Sequence, residues 1–495
     1  MAQTETARKT TGTVSPFSSR RRKKWLLAAL LFAITATALF SAFVLLPSLN
    51  YAEAKRLMAQ EEYERAMEEL SRIYNFRDSA ALYGEAAAKM GDFFLGQDCD
   101  IDAAVWYTRA GRSLEAERIF DFHSVVTGAS YVTAGIGQDG RTYYLSNREG
   151  DDKRAGSQAV SSYKTFLFQS PGVNGLDGSG LVRLHALGSY GVGLPSGQQE
   201  TLRTAVGVKD MLSIPTGNGV PGYTVLLYRN GTVKILSAAE KPLTGISGWK
   251  DIVSVKEGYR KIFGLDKTGR LHVAYEQSYP AELRYDVSGW NDIRKVVETG
   301  KAIVGLTENG QIRVAYAGTD ARYQNSLTYQ KEITDIATNS SLLLLLRANG
   351  SVKAVRVPNW AADRDSGADR YLDRAVSAVR SWRGVTRVRF AAKGIYGIRF
   401  NGTVRYVSCD VTYRSDKRRY EYDDHADFAA AVSRWTDAVD VINCGTHAVG
   451  VFADGTLDAI GDGTYLEART NLSGATDYLR KSGGEYLNVQ TWKLW

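Results

Sequence analysis

Residues 290–316 read WNDIRKVVETGKAIVGLTENGQIRVAY, and the same frame recurs along the chain. It returns as WKDIVSVKEGYRKIFGLDKTGRLHVAY (249–275), WRGVTRVRFAAKGIYGIRFNGTVRYVS (382–408) and WTDAVDVINCGTHAVGVFADGTLDAIG (435–461). Each copy begins with Trp, has mostly aliphatic residues three and six positions later, and has glycines fifteen and twenty positions after the Trp. A less regular copy, QKEITDIATNSSLLLLLRANGSVKAVR (330–356), keeps the second glycine. Self-similarity at a period of about 40 residues predicts one supersecondary unit per copy.

The second glycine of each copy marks a predicted hairpin. Asn-Gly or Asp-Gly between alternating apolar segments is a strong hairpin signal, because a type I′ turn needs a positive φ at both central residues. Residues 311–314 alternate after such a turn, which predicts a half-buried strand. We expect the earlier glycine to let strands crowd together near a common axis. The predicted turns lie at Gly140, Gly180, Gly231, Gly269, Gly310, Gly350, Gly402 and Gly455, spaced 38 to 53 residues apart.

Such units cannot bury both of their faces alone, whereas stacking them around an axis buries both faces and protects the edges. The clearest elements are Gly264-Leu265…Gly269, Gly305-Leu306…Gly310 and Gly450-Val451…Gly455. This pattern resembles the regulator-of-chromosome-condensation type of repeat, in its short bacterial form. The resemblance covers residues 120–495 and implies a mainly β fold, a seven- or eight-bladed β-propeller. Family members serve as exchange factors, enzyme inhibitors or adaptors, and none of these activities transfers without matching site residues.

Charge is concentrated at the N-terminus. The formal net charge of the 495 residues is +8, but residues 1–24 hold seven of the 62 basic and one of the 54 acidic residues. The rest of the chain therefore carries 55 basic and 53 acidic residues and is almost neutral. Binding to a nucleic-acid backbone needs a basic surface. We therefore predict no nucleic-acid partner.

Residues 25–46, WLLAALLFAITATALFSAFVLL, contain no charged residue. As a helix this run spans about 33 Å, enough to cross the hydrocarbon core of a bilayer. The preceding basic cluster predicts a cytoplasmic tail over residues 1–24 and a cytoplasmic-membrane protein with a single pass and its propeller outside. The alternative is a cleaved signal sequence, because residues 52–54 have a small-x-small form.

Residues 49–119 have helical periodicity and are predicted to form a stalk. Tyr63, Ala66 and Leu70, followed by a turn at 77–79, resemble a tetratricopeptide-type helical hairpin. Because stacked helical repeats usually need three or more units, this segment is expected to lean on its neighbour. Two roles stay open, a spacer between membrane and propeller or a peptide-binding groove.

Two insertions interrupt the repeats and carry the candidate binding residues. They span 357–382, which ends in an amphipathic helix, and 409–435. Loops on a rigid scaffold often carry recognition, and Tyr and Arg are enriched at binding hot spots. Both insertions could instead only cap an edge of the propeller. The candidate binding residues are Trp360, Tyr371, Tyr413, Arg418, Arg419, Tyr420 and Tyr422.

The chain shows no HExxH pair, nucleophile elbow or phosphate-binding loop. We therefore predict no cofactor, metal or catalytic site. Cys409 and Cys444 could form a disulfide if adjacent blades bring them together.

These patterns favour a membrane-anchored, extracytoplasmic binding or adaptor protein that recognises an unidentified protein or glycan. Two alternatives stay open. One is a carbohydrate-active enzyme that uses carboxylates lining the central channel. The other is an inhibitor of a secreted enzyme.

Overall fold

The computed structural model describes residues 17–129, 132–136, 142–146, 163–169, 172–177, 182–185, 200–202, 204–215, 221–237, 243–258, 260–299, 302–316, 327, 329–339, 341–356, 368–445 and 447–461. The chain divides into two compact units, Met1–Tyr83 and Gly84–Trp495. The predicted domain boundaries after residues 24, 46 and 119 stay predictions.

The first unit is helical. Its helices are α1 (Phe17–Phe40), α2 (Leu46–Ala59), α3 (Tyr63–Arg72) and the first residues of α4 (Ser79–Leu95), with a π-helical turn, Ser41–Leu45, between α1 and α2. The helix over Leu27–Ala59 is long and apolar enough to cross a membrane, a property that signal sequences share. The side chains of Phe32 and Phe43 are exposed, as lipid-facing side chains would be. A helix at the predicted membrane span is thus confirmed, while its orientation stays a prediction.

Helix α3 is amphipathic, and its apolar face contributes to the core of the first unit. Ala66, Met67 and Leu70 are buried on one face together with Leu57 of α2. On the other face, exposed acidic and basic side chains pair along the helix, for example Arg72 with Glu68. The predicted helical periodicity is confirmed here, and the tetratricopeptide resemblance stays a prediction.

The second unit combines strands of two to eight residues with short helices. Its helices are α5 (Asp100–Arg109), α6 (Ser113–Ile119), α7 (Ala368–Arg380) and α8 (Ala426–Val432), with single 3-10 turns at Phe122–Ser124 and Ala281–Leu283. Seven of its sheets have three strands, one has four strands, and one is a two-stranded hairpin, all within the part of the chain that is described. Every strand pair with a defined register is antiparallel.

In each three-stranded sheet the strands pair in chain order, whereas in the four-stranded sheet β10 pairs with β13, so that the order is β10-β13-β12-β11. The first four sheets contain β1 (Val126–Ala129), β2 (Val132–Ile136), β3 (Thr142–Ser146); β4 (Tyr163–Gln169), β5 (Gly172–Asp177), β6 (Val182–His185); β7 (Val208–Pro215), β8 (Pro221–Tyr228), β9 (Val233–Ser237); and β10 (Leu243–Thr244), β11 (Ile252–Gly258), β12 (Lys261–Asp266), β13 (Leu271–Glu276). The others contain β14 (Ile293–Thr299), β15 (Ala302–Thr307), β16 (Ile312–Tyr316); β17 (Ile333–Thr338), β18 (Leu342–Arg347), β19 (Val352–Arg356); β20 (Val385–Ala391), β21 (Gly394–Arg399), β22 (Val404–Ser408); the hairpin β23 (Val411–Arg414), β24 (Arg419–Tyr422); and β25 (Ala438–Asn443), β26 (His447–Phe452), β27 (Leu457–Gly461).

The first strands of successive repeat sheets lie beside one another. Strand β4 contacts β7, β7 contacts β11, β14 contacts β17, β17 contacts β20, and β20 contacts β25. Strand β1 contacts both β4 and β25, the first strand of the last described sheet. Apolar cores lie between neighbouring sheets, as between the sheets that contain β8 and β12, β12 and β15, β15 and β18, and β21 and β26.

The described hairpin turns differ in type from the prediction, while the predicted turns at Gly140 and Gly180 lie outside the described residues. Gly402 has a φ of 72°, but Asn401 is not among the residues of positive φ. The amide of Gly402 donates to the Arg399 carbonyl, and the Asn401 side chain accepts from the amide of Thr403. This is a type I turn followed by a left-handed glycine, so the predicted type I′ turn is wrong. The Asn side chain stabilises the turn locally and does not need a positive φ itself.

The turn glycine also joins one sheet to the next. The carbonyl of Gly231 accepts from the Ile252 amide at 3.0 Å, and the glycines at 269, 310, 350 and 402 accept in the same way from the first strands of the sheets that follow. A Cβ on Gly231 would lie 2.7 Å from the Cα of Asp251. We call this side of the sheets, where the turn glycines lie and each next first strand begins, the turn-glycine end. The opposite side, where the third strands end, is the loop end.

Cys99, Cys409 and Cys444 are free thiols. Cys409 packs at the core that α7 shares with β18 and β20, whereas Cys444 belongs to the core that α5 shares with β26. The two cysteines thus lie in different cores, so the disulfide that sequence left open does not form in this structure.

Candidate recognition surface

The insertion that follows β22 forms a hairpin at the loop end. Strands β23 and β24 pair Tyr413 with Tyr420 and Arg414 with Arg419. Arg418, in the turn between them, is exposed and has a φ of 48°. Two basic side chains at the tip are mostly exposed, Arg419 at 65% and Arg414 at 58%. The hairpin therefore presents cations to solvent.

Glu421 organises the charges at the tip of this hairpin. Its Oε1 accepts from Lys417 Nζ and from the Arg419 guanidinium, both at 2.9 Å. These hydrogen bonds lower the pKa of Glu421 to about 2. Because Glu421 is ionised at any ordinary pH, it keeps Lys417 and Arg419 together on one side of the hairpin.

The other insertion ends in helix α7, which packs beside the hairpin. Leu372, Ala375 and Val379 are buried against β18, β19 and β20. On its exposed side, the Arg374 guanidinium lies 5.2 Å from the centre of the Tyr422 ring. Helix α7 also contacts both β23 and β24. The two insertions thus form one surface, which we call the insertion surface: helix α7 with the hairpin β23–β24.

A polar cluster fixes the base of the hairpin to the sheet beneath it. Asp410 Oδ2 accepts from Lys393 Nζ at 3.1 Å and lies 2.9 Å from His425 Nε2. Lys393 and His425 both have a positive φ. Burial would raise the pKa of Asp410, but its hydrogen bonds to His425 and Lys393 lower it instead. Asp410 is therefore held as an anion between two residues of strained backbone.

The thiol of Cys409, next to this cluster, is not set up as a nucleophile. Burial raises its pKa to about 12, so the thiol stays protonated. Among the described residues, no group of three His, Cys, Asp or Glu side chains is placed to hold a metal ion.

The predicted site residues divide into three groups. Arg418, Arg419, Tyr420 and Tyr422 lie in the hairpin at the insertion surface, and Tyr413 lies in strand β23 opposite Tyr420. Tyr371 lies in helix α7. Trp360 lies outside the described residues.

A second cluster, in the first strands, was not predicted. Lys295 Nζ lies 2.6 Å from Asp335, and the Arg387 guanidinium lies 2.5 Å from Asp440. Arg389 Nε lies 2.9 Å from Asp440, and its Nη1 lies 3.7 Å from Asp335. The side chains of Asp335, Arg387 and Asp440 are completely buried. We call these five residues the hub cluster.

The repeat sequence contains a pattern of charged residues that indicates the hub cluster. Lys295, Arg387 and Asp440 each stand five residues after the Trp of their unit, and Asp335 stands five residues after Gln330. These four residues lie between the two aliphatic positions of the repeat frame, which are three and six residues after the first residue of each copy. Opposite charges in consecutive units, at a position otherwise surrounded by apolar residues, could have predicted ion pairs between units.

Comparisons with known proteins leave the family open. No family model matches the chain, and no curated protein matches it. Among solved structures, the computationally designed Ika8 protein is 14% identical, covers 57% of this chain and 82% of its own, and has a TM-score of 0.34. The CRINKLY WD40 ectodomain of the Arabidopsis thaliana receptor kinase ACR4 is 9% identical, covers 57% of this chain and 94% of its own, and has a TM-score of 0.30. TM-scores of this size establish neither fold nor function.

Proposed function

We propose that the described sheets belong to an eight-bladed β-propeller built from repeats of the chromosome-condensation-regulator type. Support comes from eight repeat sheets of three or four strands and from the contact of β1 with both β4 and β25. The backbone bonds from five turn glycines, at 231, 269, 310, 350 and 402, to the first strands that follow support a regular rotation from sheet to sheet. Electron microscopy of the full chain in detergent tests this count. Seven blades, or an open array, would contradict it.

The proposed function is binding, through the insertion surface, of a protein or glycan outside the cytoplasmic membrane. The observation that carries it is the joining of α7 and β23–β24 by the Arg374–Tyr422 contact on a rigid base of sheets. Exposed arginines beside half-buried tyrosines are the composition found at binding hot spots. Both insertions lie after third strands and so at the same end of the sheets.

Capture by the full chain in lipid nanodiscs tests this function. Glycan arrays and cross-linking to envelope proteins would identify the ligand, and binding would then be compared for Arg418→Glu, Tyr420→Ala and Arg229→Glu. Arg229 is an exposed arginine in the turn after β8, away from the insertions, and serves as the matched control. We expect at least about a tenfold weaker affinity for the two insertion variants, since each hot-spot residue contributes about 1.4 kcal/mol or more. Equal affinities for all three variants would contradict the proposal.

We further propose that the apolar helix is an uncleaved anchor with its N-terminus inside. The basic residues before it and its length support this orientation. An alkaline phosphatase reporter fused after Trp495 should be active, and the same reporter fused before Met1 should be inactive. Release of the chain from membranes with its N-terminus near Glu53 would show a cleaved signal instead.

The enzyme alternative can be tested at Asp121 and Asp210, two carboxyl groups that interact electrostatically. Burial raises the pKa of Asp210, in β7, whereas the pKa of Asp121 is lowered to about 2 because contact with His123 outweighs desolvation. Carboxyl groups with pKa values moved apart are typical of an acid and a base in catalysis. If the chain cleaves glycosides, Asp210→Asn and Asp121→Asn should each abolish the activity. A glycoside panel that stays unreacted with the unaltered protein would remove this alternative.

A further inference from the structure

Helix α6 contacts the hub cluster directly. Glu117 of α6 forms an ion pair with Arg389, whose side chain is 11% exposed. Arg387 donates through Nη2 to the Ser113 carbonyl at 3.1 Å. Leu114, which follows Ser113 in helix α6, is buried in the core that β15, β17 and β18 share. Arg118 of the same helix also donates to Glu308 at 3.0 Å, in an exposed ion pair. The helix is thus held by one apolar contact, two polar contacts to the hub cluster and one exposed ion pair.

The positive and negative charges of the hub cluster are equal in number only when Glu117 is included. The first strands supply three cations, Lys295, Arg387 and Arg389, and two anions, Asp335 and Asp440. The third anion of this connected group comes from Glu117. A buried cation without a counter-ion is strongly destabilising. The strands therefore present a cationic position that a carboxylate must fill.

The ionisation of both partners agrees with this geometry. Although desolvation opposes the charged form, the charges of Arg389, Lys295 and Arg387 hold the pKa of Glu117 well below its ordinary value. In the same way Asp440 and Glu117 outweigh desolvation and raise the pKa of Arg389. The surrounding cations therefore hold Glu117 as a carboxylate.

We propose that the hub cluster is a carboxylate-binding site centred on Arg389, filled within the same chain by Glu117, which thereby latches helix α6 onto the first strands. The ligand class is a single carboxylate group, because the other hydrogen bonds that Arg389 donates already go to Asp440 and to the Val388 carbonyl. The contact joins residues 272 positions apart, so it holds the segment before the first sheet against strands of later sheets.

The test compares Glu117→Ala with Glu115→Ala in the full chain in detergent. Glu115 lies in the same helix, is 46% exposed and forms an exposed ion pair with Arg112 at 3.4 Å, so it is the matched control. We expect Glu117→Ala to lower the thermal midpoint and to speed protease cleavage between α4 and α5. Formate or acetate at millimolar concentration should restore part of both losses in Glu117→Ala, while chloride at equal ionic strength should not. Glu115→Ala should show neither the losses nor the restoration.

Two results would overturn the proposal. One is an equal effect of the two substitutions on midpoint and cleavage. The other is restoration by chloride as effective as by acetate, which would show general screening instead of a carboxylate site. If Glu117→Ala does not fold, Glu117→Gln keeps the shape of the side chain and removes its charge. A normal midpoint for Glu117→Gln would contradict the proposal equally well.

Discussion

The Trp382 ring occupies the space beside Gly397 that any larger residue would need. A Cβ on Gly397 would lie 2.6 Å from two ring carbons of Trp382, and the same relationship joins Trp249 to Gly264, Trp290 to Gly305 and Trp435 to Gly450. The expectation that this glycine lets strands crowd together is therefore wrong: it makes room for the Trp of its own unit. Two units have neither the Trp nor this glycine. One has Gln330 and Leu345 at the two positions, and the other has Ala205 and Leu226.

The first prediction is energetic coupling between Trp382 and Gly397. Gly397→Leu should destabilise the protein by about 1–3 kcal/mol because the ring cannot move away from a packed core. In Trp382→Ala the added leucine should fill the space left by the ring, as Leu226 does beside Ala205. Chemical denaturation of both single variants and the double variant should give a coupling of at least about 1 kcal/mol.

The control for this cycle is Gly289→Ala, since a Cβ on Gly289 would meet nothing within 4 Å. It should change stability by less than about 0.5 kcal/mol. Additive effects of the Trp382 and Gly397 substitutions would contradict the coupling.

The second prediction separates backbone strain from the contact between sheets. Gly231 and Gly207 both lie at the turn-glycine end of the same sheet, with φ of 79° and 76°, but of these two only Gly231 would bring a Cβ within 3 Å of another backbone. Gly207→Ala should cost about 1–2 kcal/mol from the left-handed conformation alone. Gly231→Ala should lower the free energy of unfolding by clearly more than Gly207→Ala does, and it should speed hydrogen exchange at the Ile252 amide. Equal costs would mean that the turn glycine does not join the sheets.

The third prediction concerns the buried ion pair between Arg387 and Asp440. Asp440→Asn leaves buried arginines with too little negative charge and should destabilise the protein by about 3–5 kcal/mol. The exposed pair of Arg118 with Glu308 is the control, since both side chains are more than half exposed. Glu308→Gln should cost less than about 1 kcal/mol. A loss of similar size for both substitutions in denaturant titration would contradict the prediction.

The fourth prediction is acid sensitivity at Asp266. Burial would raise the pKa of this carboxyl, but hydrogen bonds from Thr268 and His272 outweigh burial and lower it from 3.8 to about 2. A carboxyl whose pKa is lowered by folding stabilises the protein above the unfolded pKa and loses this effect as the pH falls through the folded one. The stability difference between the unaltered protein and Asp266→Asn should therefore be constant above pH 5 and shrink between pH 4 and pH 2. A difference that does not change over this range would contradict the assignment.

Much of the local structure was predictable. Alternation after each turn, as in residues 311–314, predicted a strand, and the residues 312–316 form β16. The apolar run at 25–46 and the periodicity around Ala66 and Leu70 predicted helices that the structure contains. These features depend on side-chain periodicity within a few residues, which the sequence displays directly.

The turn type and the role of the earlier glycine were not predicted correctly. Asn401 before Gly402 favours a positive φ when a hairpin stands alone. In the protein the glycine must instead approach the backbone of the next sheet and accept a bond from it, as Gly402 does from Ala438. This requirement arises only when two units pack together, so the sequence of a single unit does not indicate it.

By itself the sequence determined a chain of hairpin units, an apolar helix after a basic tail, and two insertions that carry arginines and tyrosines. Only the tertiary structure decided which distant residues meet: Arg374 with Tyr422 at the insertion surface, and Arg389 with Asp440 and Glu117 at the hub. The reason is physical. Hydrogen-bonded turns and alternating strands need only neighbours in sequence, whereas a buried charge is stable only beside a counter-charge, and the fold supplied Glu117 from 272 residues away.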